Sequence, residues 1–475
     1  MATRRKTPGF ALGKFDVADV PDYVVAELRY DSGVVISAQR GIVAPSAEAE
    51  APARSLNNLL AGFDLERVVP HFGLKENVLA TRAAAVTSPR ASVSAEFAHS
   101  GFLQIVPKRG KDAKAIAARL KRSKAVWSAY VAPRPVPAAA PEGASADSRN
   151  FEPAQGYLHS APNGIGAMEA WATPGGTGKG VTICDIEGNW NLDHEDLPAG
   201  ISLIGGTPID DLGWRNHGTA VLGEMVAKRG ATGCVGIVPD AKALVHSAIV
   251  GGVFNTAAAI AGATARLSAG DVILIELQAT GPNNKYVAMQ YWDDVFSAIV
   301  AATAKGITVV EAAANGDENF DLPIFAGSGL QKASGAIVVG AGIPPTNFFD
   351  SFSGYTTIGV QRSRIWFSNY GKIVDVQGWG WHVTTLGYGD AQGGASPNRW
   401  TTHRFSGTSS ASPIVTGAVA CLQGVARARL GAPLTPAQVR SLLLKNGSPQ
   451  AAGPNVPTSQ RIGRLPNLPA TIKKI

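Results

Sequence analysis

From Gly180 onward, short and nearly continuous apolar runs alternate with longer stretches in which apolar residues recur every three or four positions. The runs "GVTICDIEG", "KALVHSAIV", "DVILIELQ", "ITVVEAAAN" and "AIVVGAG" predict buried strands. The intervening "GTAVLGEMVA", "TAAAIAGATARLS" and "VAMQYWDDVFSAIVAATAKG" predict helices, as do Ala411 to Leu430 and Pro436 to Lys445. Strands apolar on both faces, alternating with helices, predict an α/β fold: a doubly wound, mostly parallel sheet with helices on both faces. Sites in such sheets form at the carboxyl ends of strands, where Asp185, Glu276 and Asn315 fall.

The first third carries a different pattern. "DYVVAELRY" predicts a strand, "SLNNLLAGFDLERVVPHFG" an amphipathic helix, "SAEFAHSGFLQIVP" an alternating strand, "DAKAIAARLKRSKAVW" a second helix and "SAYVAPRPVP" a closing strand. This is a small N-terminal α+β domain, residues 1–133. The Pro, Ala, Gly and Ser of "RPVPAAAPEGASADSRN" keep no apolar period, so residues 134–160 are expected to be a linker and 161–475 the main domain with a Pro-rich tail.

Composition narrows the class. With 45% hydrophobic and 17% charged residues, 54 Gly and 30 Pro in 475, the chain can build a large core and is rich in turns. Its formal charge of +7 lies wholly before Asn150. Those cations recur at helical spacing among Ala and Leu, as a solvated helix face requires, without the interleaved aromatics of a nucleic-acid surface. No nucleic-acid partner is expected. Cys184, Cys234 and Cys421 sit in apolar surroundings without metal-ligand spacing and read as buried free thiols. "MATRRKTPGFALGKF" lacks the apolar run of a signal peptide, and no membrane span is evident, which gives a cytoplasmic expectation with unconventional export left open.

One stretch carries chemistry. In "FSGTSSASPIVTG", Gly407 permits a sharp turn and the small residues let a helix begin against the sheet. A serine there exposes its hydroxyl beside backbone N–H groups able to stabilise an oxyanion. A nucleophile also needs a base and a group to orient that base. "NHGTAVLG" supplies His217 at a helix start, "VTICDIEG" supplies Asp185 near a strand end, and "VVEAAANGDEN" supplies Asn315 as a second oxyanion donor.

In these motifs, and in the order Asp, His, Asn, Ser, the chain resembles the subtilisin-like serine proteases over about Gly164 to Asn446. "HEDLP", "GIVPDAKAL" and "FSNYGKIVDV" follow in the order of that family. The resemblance implies a subtilisin-like fold and an endopeptidase acting through an acyl-enzyme. Ser409 would be the nucleophile, His217 the general base and then acid, and Asp185 the orienting carboxylate. Asn315 and the Ser409 N–H would form the oxyanion hole, with Ser410 only a neighbour. His217 and Asn315 set the chain apart from the related sedolisins, which carry Glu and Asp in these roles. The first domain resembles the family's propeptide, an intramolecular chaperone and inhibitor, with cleavage expected between about Pro135 and Gln155.

The chain departs from the family in three places. Ile186 and Glu187 stand between Asp185 and Gly188, and Glu187 reads as a surface carboxylate or a substrate-facing charge. Glu276, Leu277, Gln278 and Ala279 replace Ser-Leu-Gly-Gly on the strand that pairs with substrate, and Ala313 and Ala314 would line the first specificity pocket, narrowed by Ala314 in the place of Gly. No cofactor and no metal are expected: "AKRGATG" replaces the family's calcium loop without a carboxylate or amide. His194, among Asp193, Glu195 and Asp196, reads as a surface turn. Partners are a peptide or protein substrate and the chain's own first domain. The alternative is a catalytically silent, peptide-binding pseudoprotease.

Overall fold

The computed structural model describes residues 20–37, 41–72, 101–136, 149–345 and 358–475. Its first part is β1 (Val24–Leu28), α1 (Ala47–Ala61), β2 (Leu65–Pro70), β3 (Phe102–Pro107), α2 (Ala113–Leu120) and β4 (Val126–Val131). The strands form an antiparallel sheet in the order β2-β3-β1-β4, the arrangement of a split βαβ unit. Helix α2 starts where Asp112 accepts the N–H groups of Lys114 and Ala115. It buries Ala113, Ile116, Ala117 and Leu120 at the spacing of one helical face.

One sequence expectation fails here. The single helix read over 55–73 ends at Ala61, and Leu65–Pro70 is a strand. Gly62 interrupts the helix, and "RVVP" combines a β-branched pair with a proline that a helix interior rejects. Strand alternation then divides the sheet between two cores. Val24, Ala26, Leu103 and Ile105 pack on α1 and α2, while Val25, Phe102 and Val106 join the core of the larger unit.

That unit is a seven-stranded parallel sheet of β5 (Thr182–Glu187), β6 (Ser202–Gly205), β7 (Lys242–Ser247), β8 (Val272–Ile275), β9 (Thr308–Ala312), β10 (Ile337–Gly342) and β11 (Val374–Trp379). The spatial order is β11-β10-β9-β8-β5-β7-β6, parallel at every pairing. Helices α3 (Leu212–Val226), α6 (Thr408–Leu430) and α7 (Pro436–Asn446) lie on one face, and α4 (Thr256–Arg266) and α5 (Asp293–Ala304) on the other. The doubly wound expectation therefore holds, and strand β5 separates β7 from β8 at the topological switch where such sheets bind ligands. The sequence reading missed both edge strands: β6 is short, and β11 interleaves Asp375 and Gln377, which find partners in Arg440 and in the carbonyls of Arg362 and Gly463.

Helix α6 is long and apolar enough to cross a membrane, yet it is buried throughout its 18-residue apolar window as the central helix of the core. Ala411 presses so close to the sheet that a Cβ at Gly378 would lie 2.2 Å from its carbonyl oxygen. The three cysteines are buried and unbridged.

The small sheet docks on α4 and α5. His71 Nε2 meets Asp294 Oδ2 at 2.7 Å, and the Tyr130 hydroxyl donates to Asp294 Oδ1 at 2.7 Å. Tyr23 donates to the Phe254 carbonyl, and Asn255 to that of His71. Burial alone would raise the pKa of Asp294, but the hydrogen bonds and charge of His71 and the bond from Tyr130 hold it below the ordinary carboxylate value. Beyond β4 the chain runs to Val136, whose N–H donates to the Gln278 carbonyl at 3.1 Å in an antiparallel bridge. Of the stretch expected to contain a processing site, residues 137–148 lie outside the described residues.

Candidate active site

Ser409 is the second residue of α6, and the turn before it is set by Gly407 at φ 114°, which residues with a Cβ rarely adopt. Thr408 donates both its N–H, at 2.8 Å, and its hydroxyl, at 3.1 Å, to Oδ1 of Asn315. That fixes the Asn315 carboxamide at the helix start with Nδ2 as its remaining donor. Among the described residues no acceptor meets Nδ2 or the Ser409 N–H. The Ser410 hydroxyl is spent on the carbonyls of Trp379 and Gly407. Pro413 sits deeper in the helix than the sequence suggested, and its missing N–H removes the usual bond to the Ser409 carbonyl.

His217 projects from α3 and is fully buried. Its ring packs edge-on against Phe405, four residues before Ser409, with centroids 5.3 Å apart. Nδ1 is hydrogen-bonded to Oε1 of Glu187, and Nε2 is buried without a partner among the described residues. Burial, opposed by the nearby Asp185 carboxyl, lowers the imidazole pKa to about 4. Gly218 makes this packing possible, because a Cβ there would lie 2.3 Å from the Asn189 carbonyl and 2.6 Å from the Trp190 ring. Thr219 accepts from Asn191 N–H at 2.8 Å and so ties the loop after β5 to α3.

Two expectations about carboxylates are corrected. Asp185 does not bond to the imidazole: its Oδ2 accepts from Trp190 Nε1 at 2.7 Å and its Oδ1 has no partner among the described residues. Glu187 is neither a surface nor a substrate-facing charge, being wholly buried on His217, with Oε2 accepting from Gly188 N–H at 3.3 Å. Position explains the exchange. Residues 185 and 187 share one face of β5, but Glu187 is the last strand residue, about 6.6 Å further along, and its stem is one methylene longer.

The four residues expected to pair with substrate, Glu276 to Ala279, divide by side-chain direction. Leu277 and Ala279 are buried in the α4–α5 core. Glu276 is turned toward α6, where its Oε2 accepts from the Ser412 hydroxyl at 2.6 Å, so it is a buried group under the site and not a wall of the cleft. Gln278 holds the edge: its carbonyl receives Val136, and its Oε1 accepts from Asn315 N–H at 2.9 Å. Ala313 and Ala314 are buried, with their carbonyls accepting from Asn369. Ala314 adopts φ 74°, the left-handed conformation that explains why glycine suits this position. His194, expected at the surface, is buried, with Nε2 on the Trp400 carbonyl at 2.8 Å and Nδ1 accepting from Asp196 N–H.

A parallel α/β sheet thus carries a serine at a helix start, a buried histidine and a carboxamide beyond the ends of its central strands, the residue types that a serine hydrolase uses. The model of the subtilase family, peptidase family S8, matches residues 178–463, and the chain belongs to that family. It is 26% identical over 282 residues to alkaline protease 1 of Aspergillus flavus, covering 58% of this chain and 57% of that one. Against the intracellular serine protease of Paenibacillus polymyxa it is 27% identical over 323 residues, covering 63% of this chain and 84% of that one. Fervidolysin from Fervidobacterium pennivorans, a keratinolytic enzyme related to subtilisin, shares the fold at a TM-score of 0.54 and 17% identity, over 95% of this chain and 61% of that one.

Proposed function

We propose that the chain is a serine endopeptidase that cleaves peptide bonds through an acyl-enzyme on Ser409 and is held silent by its own first domain. The observation that carries this reading is the convergence of His217 and Asn315 on the segment around the α6 start, one through the Phe405 ring and the other through Thr408. In the first step Ser409 Oγ attacks the scissile carbonyl carbon and its proton passes to His217 Nε2. Asn315 Nδ2 and the Ser409 N–H donate to the oxygen as it becomes an oxyanion. The imidazolium then protonates the leaving amine, and water repeats the sequence to release the acyl group.

The same reading assigns residues 1–133 as inhibitor. Support comes from Val136, which occupies the strand edge at Gln278 that an extended substrate would pair with, while the sheet before it is docked on α4 and α5. The buried, unbridged cysteines and the name of the Paenibacillus relative favour a cytoplasmic site of action.

A fluorophosphonate probe, followed by peptide mass spectrometry, tests the proposal. Label on Ser409, absent in His217→Ala and Ser409→Ala, is the expected result. A folded protein that takes no label, both in the full chain and after removal of residues before Asn150, would favour a peptide-binding pseudoprotease.

A further inference from the structure

We propose that Glu187 is the positioning residue of the His217 base, and that Asp185, which stands where the family motif puts that role, takes no part in it. The inference rests on the peptidase reading and deepens it. A base that takes a proton at Nε2 must keep its other proton on Nδ1 and find a carboxylate there to stabilise the imidazolium. Among the described residues only Glu187 reaches Nδ1. Asp185 lies near enough for its charge to act on the ring, yet its hydrogen bond goes to Trp190.

The surroundings divide the two carboxyls further. Asp185 and Glu187 project from β5 on the face covered by α3 and α6, beside Glu276 from the end of β8 and with Glu224 on α3. Tyr388 also faces Glu187. All four acids are fully buried, and His217 is the one basic group in contact with any of them among the described residues. They cannot all be ionised so close together: burial raises the pKa of all four, and what sets Glu187 apart is its bond to the imidazole Nδ1. The anion that forms against an imidazolium is therefore the one bonded to it. Asp185 in its neutral form needs nothing from His217, because its retained contact is the acceptor bond from Trp190.

The step balances simply. Ser409 Oγ–H loses its proton to Nε2, the Nδ1 proton remains on the ring directed at Glu187 Oε1, and the positive charge on the imidazolium is countered by the glutamate. In the leaving-group step the Nε2 proton departs and the ring returns to its neutral tautomer.

The experiment compares Glu187→Gln, Glu187→Asp, Asp185→Asn and Ser409→Ala with the wild type, each as the full chain and after removal of the residues before Asn150. Two readouts are used: the pH profile of fluorophosphonate labelling at Ser409, and the far-downfield proton resonance of a hydrogen-bonded imidazole Nδ1–H. Glu187→Gln should slow labelling by about a thousandfold or more, move the acid limb to lower pH and abolish the resonance. Glu187→Asp should recover part of the rate and the resonance. Asp185→Asn, whose amide oxygen still accepts from Trp190, should stay within about tenfold of the wild type and keep the resonance.

Loss of the resonance in Asp185→Asn, or a rate loss there as large as in Glu187→Gln, would overturn the proposal. If Glu187→Gln does not fold, Glu187→Asp against Asp185→Asn decides it by the same two readouts. A wild type that shows the resonance but labels neither in the full chain nor after removal of the residues before Asn150 would sink the peptidase reading, and with it the claim that the imidazole held by Glu187 is a base. The two failures are thereby distinguishable.

Discussion

The N–H of Val136 donates to the carbonyl of Gln278, and the side chain of Gln278 in turn accepts from the N–H of Asn315. Two hydrogen bonds therefore connect the segment that follows the first domain to the loop that bears Asn315, the proposed oxyanion donor. Replacing Val136 by proline removes the first of them. A net loss of about 1 kcal/mol should raise the labelling rate of Ser409 in the uncleaved chain about fivefold, and time courses with a fluorophosphonate measure it. An unchanged rate would mean that the tail does not control access.

On the peptidase reading Asn315 has two separable tasks, holding Thr408 through Oδ1 and donating to the oxyanion through Nδ2. Asn315→Asp keeps an oxygen for Thr408 but loses the Nδ2 donor, whereas Asn315→Ala loses both. Each should lower kcat on a peptide substrate by about a hundredfold to a thousandfold with KM little changed. Only the alanine variant should also lose the start of α6, visible as faster hydrogen exchange at Thr408. An aspartate variant with normal kcat would remove Asn315 from the oxyanion hole.

Docking of the first domain depends on Asp294. Its pKa is depressed in the folded chain, so its contribution is fully present above the ordinary carboxylate pKa, about 3.9, and is lost as pH falls below that value through the depressed one. His71→Ala or Asp294→Asn leaves a buried polar partner stranded and should cost about 3–5 kcal/mol. Hydrogen exchange across β1–β4 at neutral pH should report the loosened sheet. Retained protection in both variants would rule the contact out as the latch.

On the peptidase reading the His217 base sets the acid limit of activity. Because the His217 pKa is lowered to about 4, the neutral ring persists on acidification and labelling should fall only as pH drops toward that value. An unperturbed imidazole would lose it near about 6.5. A pH profile of labelling in the full chain separates the two.

Much of the site is legible in the residue order. Small residues at 407–413 suit a helix start pressed against a sheet, and the glycine after His217 signals a close approach, which proves to be that of Trp190 and Asn189. The carboxylate was not legible, because residues 185 and 187 lie on the same strand face and periodicity cannot rank them. What separates them is reach along the strand and the indole of Trp190, a contact set by a loop. Glu276 misleads for a similar reason: a charge at a strand end reads as cleft lining, while the hydroxyl that receives it lies on α6, 136 residues away. The strand at Leu65–Pro70 escaped because its apolar residues suit either period, and its pairing with β3 was settled by distant partners.

Ser409 stands at the tip of the helix that fills the middle of the molecule, with residues Thr408 to Ala426 buried without a break. A nucleophile on a surface loop could wander while the rest of the domain stayed intact. Here the Ser409 hydroxyl is mounted on a helix buried on all sides, and its aim is inherited from the packing of the whole. Heat or denaturant should therefore find little middle ground: the hydroxyl keeps its bearing until the domain gives way, and goes with it.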